Sequence, residues 1–174
     1  DWSADWLHRE AVAWLDLRAQ REFGKTYAQL PVGDQAKLQA EFQPDIRHNG
    51  YDASTAKLTV PNEEATAITQ VSAHYESLFG DDPATLSLRE TYAMKNGAVD
   101  TAEHRHQLGA FFFWTAWAAV TDRQDSNVSY TSNWPYDPLV GNGPTPNAFL
   151  WTVFSVLFMI AGIALLGWHY AVYH

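Results

Sequence analysis

The rhythm of apolar positions divides the chain into helices joined by short polar turns. Trp6, Leu7, Ala11, Trp14, Leu15 and Arg18 keep the i, i+3, i+4, i+7 spacing of one helical face, which predicts a helix from about Ala4 to Phe23. Ser3 reads as its N-cap and Gly24 as the residue just past its end. Leu38, Phe42 and Ile46 predict a second helix starting near Asp34, with Pro44 bending or ending it. The pattern then changes. Leu58 and Val60 alternate with polar residues around an Asp-Ala-Ser-Thr turn, so Tyr51 to Val60 predicts a short β-hairpin, bounded by Pro61. Helical spacing resumes with Ala65, Ile68, Val71, Tyr75, Leu78 and Phe79, after Asn62 as N-cap and with Glu63 and Glu64 set against the helix dipole. Gly80 stops this helix. Asp82-Pro83 opens another, carrying Leu86, Tyr92 and Met94 and ending before Gly97. Asp100 and Glu103 are spaced as a capping box, with Asp in the usual Ser or Thr place, for a helix that holds Phe111-Phe-Phe-Trp-Thr-Ala-Trp117. That run is apolar nearly all round, so its helix is either deeply buried or docked on something else.

The last segment follows another rule. Ala148 to Trp168 is 21 residues without a charge, and at about 1.5 Å per residue it spans roughly 30 Å, the thickness of a bilayer's hydrocarbon core. Trp151 near one end and Trp168, Tyr170 and Tyr173 at the other sit where amphipathic rings prefer the headgroup level. Gly162 and Gly167 suit a membrane helix better than a soluble one. No Lys or Arg occurs between Gln124 and Asn147, so the positive-inside rule gives no reason to hold that side in the cytoplasm. The soluble part is therefore expected on the periplasmic or external face, and the chain is expected to continue past His174 in the native protein. The stretch from Asp122 to Pro146 is rich in Ser, Asn, Pro and Gly, yet it carries Tyr130, Trp134 and Tyr136. A free linker is small and polar; these aromatics predict an ordered segment packed at the membrane surface. The expected organisation is a helical domain over 1–123, an ordered juxtamembrane loop over 124–147 and a transmembrane helix over 148–173.

Charge and composition sharpen this picture. The chain has 174 residues with 11 Lys+Arg and 20 Asp+Glu, a formal net charge of −9, which argues against nucleic acid as a partner. Every Asp, Glu, Lys and Arg lies at or before Asp137. There are no cysteines, so disulfides, thiolate metal sites and a covalently attached haem, which needs Cys-x-x-Cys-His, are excluded. The absence of Cys is compatible with either redox compartment.

Candidate chemistry is sparse. His104 and His106 lie two apart on a helix and point in different directions, and His74 with Glu76 reads as a solvated face. His8 reads as a surface residue beside Arg9 and Glu10, and His169 as an interfacial residue rather than a haem or quinol contact. Asp122, Asp125 and Asn127 lack the Gly and the terminal Glu of a calcium loop. Gly141-Asn-Gly143 runs into Pro144 rather than a helix, so it is no phosphate loop. Asn127-Val-Ser129 is a glycosylation sequon of a kind that arises often by chance. The residues alone identify no catalytic, cofactor-binding or metal-binding centre and point to a structural or positional role.

Three stretches resemble one family: Asp1-Trp-Ser-Ala-Asp-Trp-Leu-His-Arg-Glu-Ala11, Phe111-Phe-Phe-Trp-Thr-Ala-Trp-Ala-Ala119, and Ser129-Tyr-Thr-Ser-Asn-Trp-Pro-Tyr-Asp-Pro-Leu-Val-Gly-Asn142. They are similar to the hydrophilic N-terminal region of quinol-dependent nitric oxide reductases, single-chain members of the haem-copper oxidase superfamily. The resemblance covers essentially the whole chain. It implies a mainly α fold, a haem-less cytochrome-c-like helical domain with a small β-hairpin followed by one transmembrane helix. It also implies the reaction: two NO, two electrons and two protons give N2O and water, with quinol as donor. Haem b, haem b3 and non-haem iron would belong to later helices of the complete enzyme. The calcium-binding Gly-x-Tyr segment of the family has no counterpart here, so no cofactor or metal ligand is assigned to this segment. The implied partners are the remaining transmembrane helices, membrane lipid and, for the whole enzyme, quinol; a homodimer is compatible. The implied location is the bacterial cytoplasmic membrane. Tyr130, Trp134, Tyr136 and Asn142 are the residues expected to pack over the external face of the haem-bearing bundle. The alternative from another class is a stand-alone single-span protein serving as a binding or assembly subunit.

Overall fold

The computed structural model describes residues 1–173, which form two compact units, Asp1–Gly143 and the segment from Pro144 onward. The first holds α1 (Trp2–Phe23), α2 (Val32–Ile46), the strands β1 (Tyr51–Asp52) and β2 (Lys57–Leu58), α3 (Asn62–Phe79), α4 (Leu86–Thr91) and α5 (Ala102–Val120). The second is α6 (Pro146–Tyr173). The mainly helical class with one small hairpin is as expected. The hairpin pairs Tyr51 with Leu58 and Asp52 with Lys57 in antiparallel register.

Helix ends differ from the sequence expectation at several points, each with a local cause. Asp1, not Ser3, caps α1, accepting the Ser3 N–H on its carboxylate, while the Ser3 hydroxyl pairs with Thr115 of α5. Gly24 closes α1 in the left-handed region, at φ 65°. Pro44 lies inside α2, and the helix runs on to a buried Ile46. Asn62 is already helical; Pro61 precedes it and its carbonyl accepts the Ala65 N–H. Thr101, rather than Asp100, caps α5 by accepting the His104 N–H.

Asp82 caps a 3-10 turn, Pro83–Thr85, and the helix beyond it ends at Thr91, leaving Tyr92 and Met94 outside it. The buried Arg89 guanidinium accounts for the early stop. It donates to the Asp82 and Ser77 carbonyls, the Thr85 hydroxyl and the Asn96 side chain, drawing the chain on both sides of α4 around itself.

The interior is built where α1, α3 and α5 meet. Trp6 stacks on Tyr75 with ring centroids 5.2 Å apart, and Tyr75 and Phe79 pack against Phe112. Trp14 meets Phe42 edge-on at 5.2 Å, which brings α2 onto the same core. Polar links tie the same helices. Glu63 accepts from Trp14 Nε1 and Arg18 Nε and pairs with Arg21, and Arg18 also reaches Asp45.

Helix α6 has 28 residues and none of them is buried; it is long and apolar enough to cross a membrane. Thr152 and Ser155 turn their hydroxyls back onto the Ala148 and Trp151 carbonyls, so each is satisfied within the helix.

Candidate functional site

The segment after α5 has almost no regular structure, yet buried polar side chains tie it to the helices of the first unit. Its start is clamped by Arg47, the residue just past α2: the Asp122 N–H donates to the Arg47 carbonyl, and Arg47 donates to the Asp122 carboxylate at 2.8 Å. Asn49 Nδ2 then donates to both the Asp122 carbonyl and the Tyr130 hydroxyl. Further along, Ser129 and Asn133 exchange two bonds of 2.8 Å, backbone N–H to side-chain oxygen in each direction, and Asn133 Nδ2 donates to the Gly143 carbonyl.

Asn142 is fully buried, at 0% exposure. Its Oδ1 accepts the Asp137 N–H, and its Nδ2 donates to the Ala119 carbonyl at the end of α5 and to the Pro135 carbonyl. Asp137 takes the Leu139 N–H and lies 2.9 Å from His8 Nδ1, a link back to α1. Gln39 and Gln43 of α2 donate to the Pro138 and Leu139 carbonyls. Gly141, at φ 72°, makes the turn that returns its N–H to the Asp137 carbonyl. These bonds pair backbone groups of the loop with side chains, the role that the ladder plays in a buried helix, while the buried Thr121 hydroxyl at its start has no partner among the described residues.

The aromatic side chains of this loop turn outward. Trp134 is 63% exposed, and Tyr130 and Tyr136 are about half exposed. Tyr130 lies stacked on Trp117 of α5, with centroids 5.5 Å apart. Beside this pair, Tyr51, Leu58, Phe113 and Trp114 complete the wall of a cavity of about 660 Å³ between the hairpin and α5. Trp114 is itself 59% exposed and packs against the exposed Phe111. The structure thus separates the four expected interface residues into two roles. Tyr130, Trp134 and Tyr136 present rings to the surface. Asn142 presents nothing and holds the loop from within. Tyr51 and Trp114 join the exposed aromatic set, with the half-buried Trp117 beneath Tyr130; the Phe111–Trp117 run signalled this in the sequence, whereas Tyr51 carried no signal of its own.

Among the described residues the histidines do not converge. His104 lies 3.5 Å from Asp100, and His106 3.2 Å from Glu76. His8, read from the sequence as a plain surface residue, anchors the loop through Asp137. His74 is not on a solvated face: its Nε2 is occluded and has no hydrogen-bond partner, and burial, then the Arg9 charge, hold its pKa below the ordinary imidazole value. Asp122, engaged by Arg47, is not poised with Asp125 and Asn127 around a cation.

Among the described residues no group of three or more His, Cys, Asp or Glu is placed to hold a metal ion. A covalently held haem does not fit this unit either. The chain has no thiol to attach it, and the crossing of α1, α3 and α5 is filled by Trp6, Leu15, Tyr75 and Phe112. What this surface does offer is a set of exposed aromatic rings, the side chains that protein surfaces use for recognition.

Over residues 1–136 the chain matches the family of NorB cytochrome c-like domains, the cytochrome c-like domain of nitric oxide reductase. A comparison with curated proteins returned no match.

Proposed function

Because this chain belongs to the NorB cytochrome c-like domain family of nitric oxide reductase, we propose that it is the N-terminal segment of a quinol-dependent nitric oxide reductase and caps the haem-bearing membrane bundle on its external face. The domain and a helix long and apolar enough to cross a membrane lie in one chain, which supports a membrane-anchored reductase segment. In this reading the segment contributes no catalytic group. Haem b, haem b3 and non-haem iron reside in later helices, quinol donates the electrons, and two NO become N2O and water.

The observation that carries the capping role is the construction of the loop after α5. Buried Asn133, Asp137 and Asn142 hold it fixed, and the rings of Tyr130, Trp134 and Tyr136 are left uncovered. Rigid, exposed Tyr and Trp side chains are what a protein surface uses to anchor a partner, because they bury large area at small entropic cost. The partner of this surface is the external face of the remaining transmembrane helices.

Three measurements test the proposal. The intact mass of the native membrane polypeptide carrying this segment should lie well above 19.6 kDa, and turnover of NO should run with a quinol donor and not with a reduced c-type cytochrome. A mass matching these residues would assign the domain to a single-span assembly subunit instead. In the full enzyme, Trp134→Ala should lower haem retention and turnover; unchanged haem content, stability and turnover would remove the capping role.

A further inference from the structure

The core of the first unit contains two carboxyl groups that the capping role does not use. Glu10 of α1 is 4% exposed and Glu64, in the first turn of α3, is 6% exposed. Glu10 accepts one hydrogen bond, from Trp6 Nε1 at 2.8 Å. Glu64 has no hydrogen-bond partner among the described residues, in contrast to its neighbour Glu63, which takes three donors.

The cations nearby are already committed. The charged groups that α1, α2 and α3 bring to this junction include Glu10, Arg18, Arg21 and Glu22 from α1, Asp45 from α2, and Glu63 and Glu64 from α3. Arg18 is held by Asp45 and Glu63, and Arg21 by Glu63 and Glu22. The buried positions of α5 are Gly109, Phe112, Ala116, Ala119 and Val120, none of which ionises. A buried carboxylate without a cation or several donors is costly, and the group escapes that cost by keeping its proton.

We propose that Glu10 and Glu64 are two buried, proton-holding carboxyls that secure the packing of α1 on α3 while neutral and loosen it when charged. Burial, and then the charge of Glu64, push Glu10 up to about 8 against the opposing bond from Trp6; burial, and then Asp45, push Glu64 up to about 7. The sign follows from linkage. The folded state holds protons that the unfolded chain has released, so the contribution is intact below the ordinary carboxylate range. It is lost progressively as pH rises from about 4.5 to about 8, and is constant above that. Trp6 reports the change, because its indole N–H bonds the carboxyl that ionises and its ring lies on Tyr75 of α3.

The test uses the native membrane chain in nanodiscs, as wild type, Glu10→Gln and Glu64→Gln. Infrared spectra should contain a protonated-carboxyl C=O band near pH 6 that fades towards pH 9, with one component missing in each variant. The Trp6 near-ultraviolet dichroism should follow the same titration in the wild type and be flat in Glu10→Gln. If either variant fails to fold, the wild type alone decides: its unfolding midpoint must fall between pH 6 and pH 9 with the same titration. Identical carboxyl bands in wild type and both variants, or a wild-type midpoint that is flat or rises over that range, would overturn the proposal.

Discussion

Helices α5 and α6 are both crowded with aromatic and aliphatic side chains, but they satisfy them in opposite ways. In α5 the residues Gly109, Phe112, Ala116, Ala119 and Val120 form one buried stripe, and Phe111 and Trp114 are left at the surface. In α6 nothing is buried, and apolar side chains cover every side. A stripe marks a helix whose partner is the protein itself. A helix of 28 residues with no buried position and apolar residues on every side is long and apolar enough to cross a membrane. The difference teaches that apolar content alone does not separate the two; the presence of one small or polar side does.

The comparison can be broken first at its strongest point. Trp6→Ala empties the junction of α1 with α3 and should cost about 3–5 kcal/mol of unfolding free energy, whereas Phe154→Ala in α6 should leave the unfolding of the first unit unchanged. Denaturation followed by near-ultraviolet dichroism distinguishes them, and equal losses would mean that the two helices are not separate cases. Next comes Leu157→Arg, a charge near the middle of α6. It should oppose membrane insertion by about 2.5–3.5 kcal/mol, read as the fraction inserted in a glycosylation-reporter assay, with no effect on the soluble fold.

A third change addresses the loop. Asn142→Ala strands the Asp137 N–H and the carbonyls of Ala119 and Pro135, and one such loss costs about 1–3 kcal/mol. Proteolysis should then cut between Asp122 and Gly143 before it cuts any helix; uniform susceptibility would mean that Asn142 does not hold the loop. The smallest effect belongs to Tyr75→Phe, which removes a 2.6 Å bond to Asp5 and should cost about 1 kcal/mol. Burial raises the Asp5 pKa, but the bonds from Arg9 and Tyr75 outweigh it, so the carboxyl sits below its ordinary value. A depressed folded-state pKa stabilises above the unfolded value and is lost as pH falls through the folded one. The difference between wild type and Tyr75→Phe should therefore be full at neutral pH and shrink below about pH 4.

Much of this architecture was legible in the chain. Periodicity of 3.6 residues marked α1, α2 and α3, because one face of each must leave water; α5 was marked by its capping residues and its apolar run, and the alternation around Leu58 marked the hairpin. The caps were less legible. Asp1, Ser3, Thr101 and Asp100 are all competent cap residues, and which one is used depends on where neighbouring helices let the first turn begin, as with Ser3, which pairs with Thr115 instead. The aromatic surface was half legible: Tyr130, Trp134 and Tyr136 stood out against a polar loop. The burial of Asn142 and the cavity shared with Tyr51 depend on contacts between segments far apart in sequence.

By itself the sequence determined which lengths of chain must be helical, that no thiol chemistry is present, and that everything after Asp137 carries no acidic or basic group apart from histidine. These are local properties, set by side-chain identity and spacing within a few turns. Only the tertiary structure decided that Glu10 and Glu64 lie buried with no cation to spare, that His8 anchors the loop through Asp137, and that Asn142 is a brace rather than a contact. A polar residue's role depends on which partners the fold brings within about 3 Å, and nothing in its own neighbourhood along the chain records that choice.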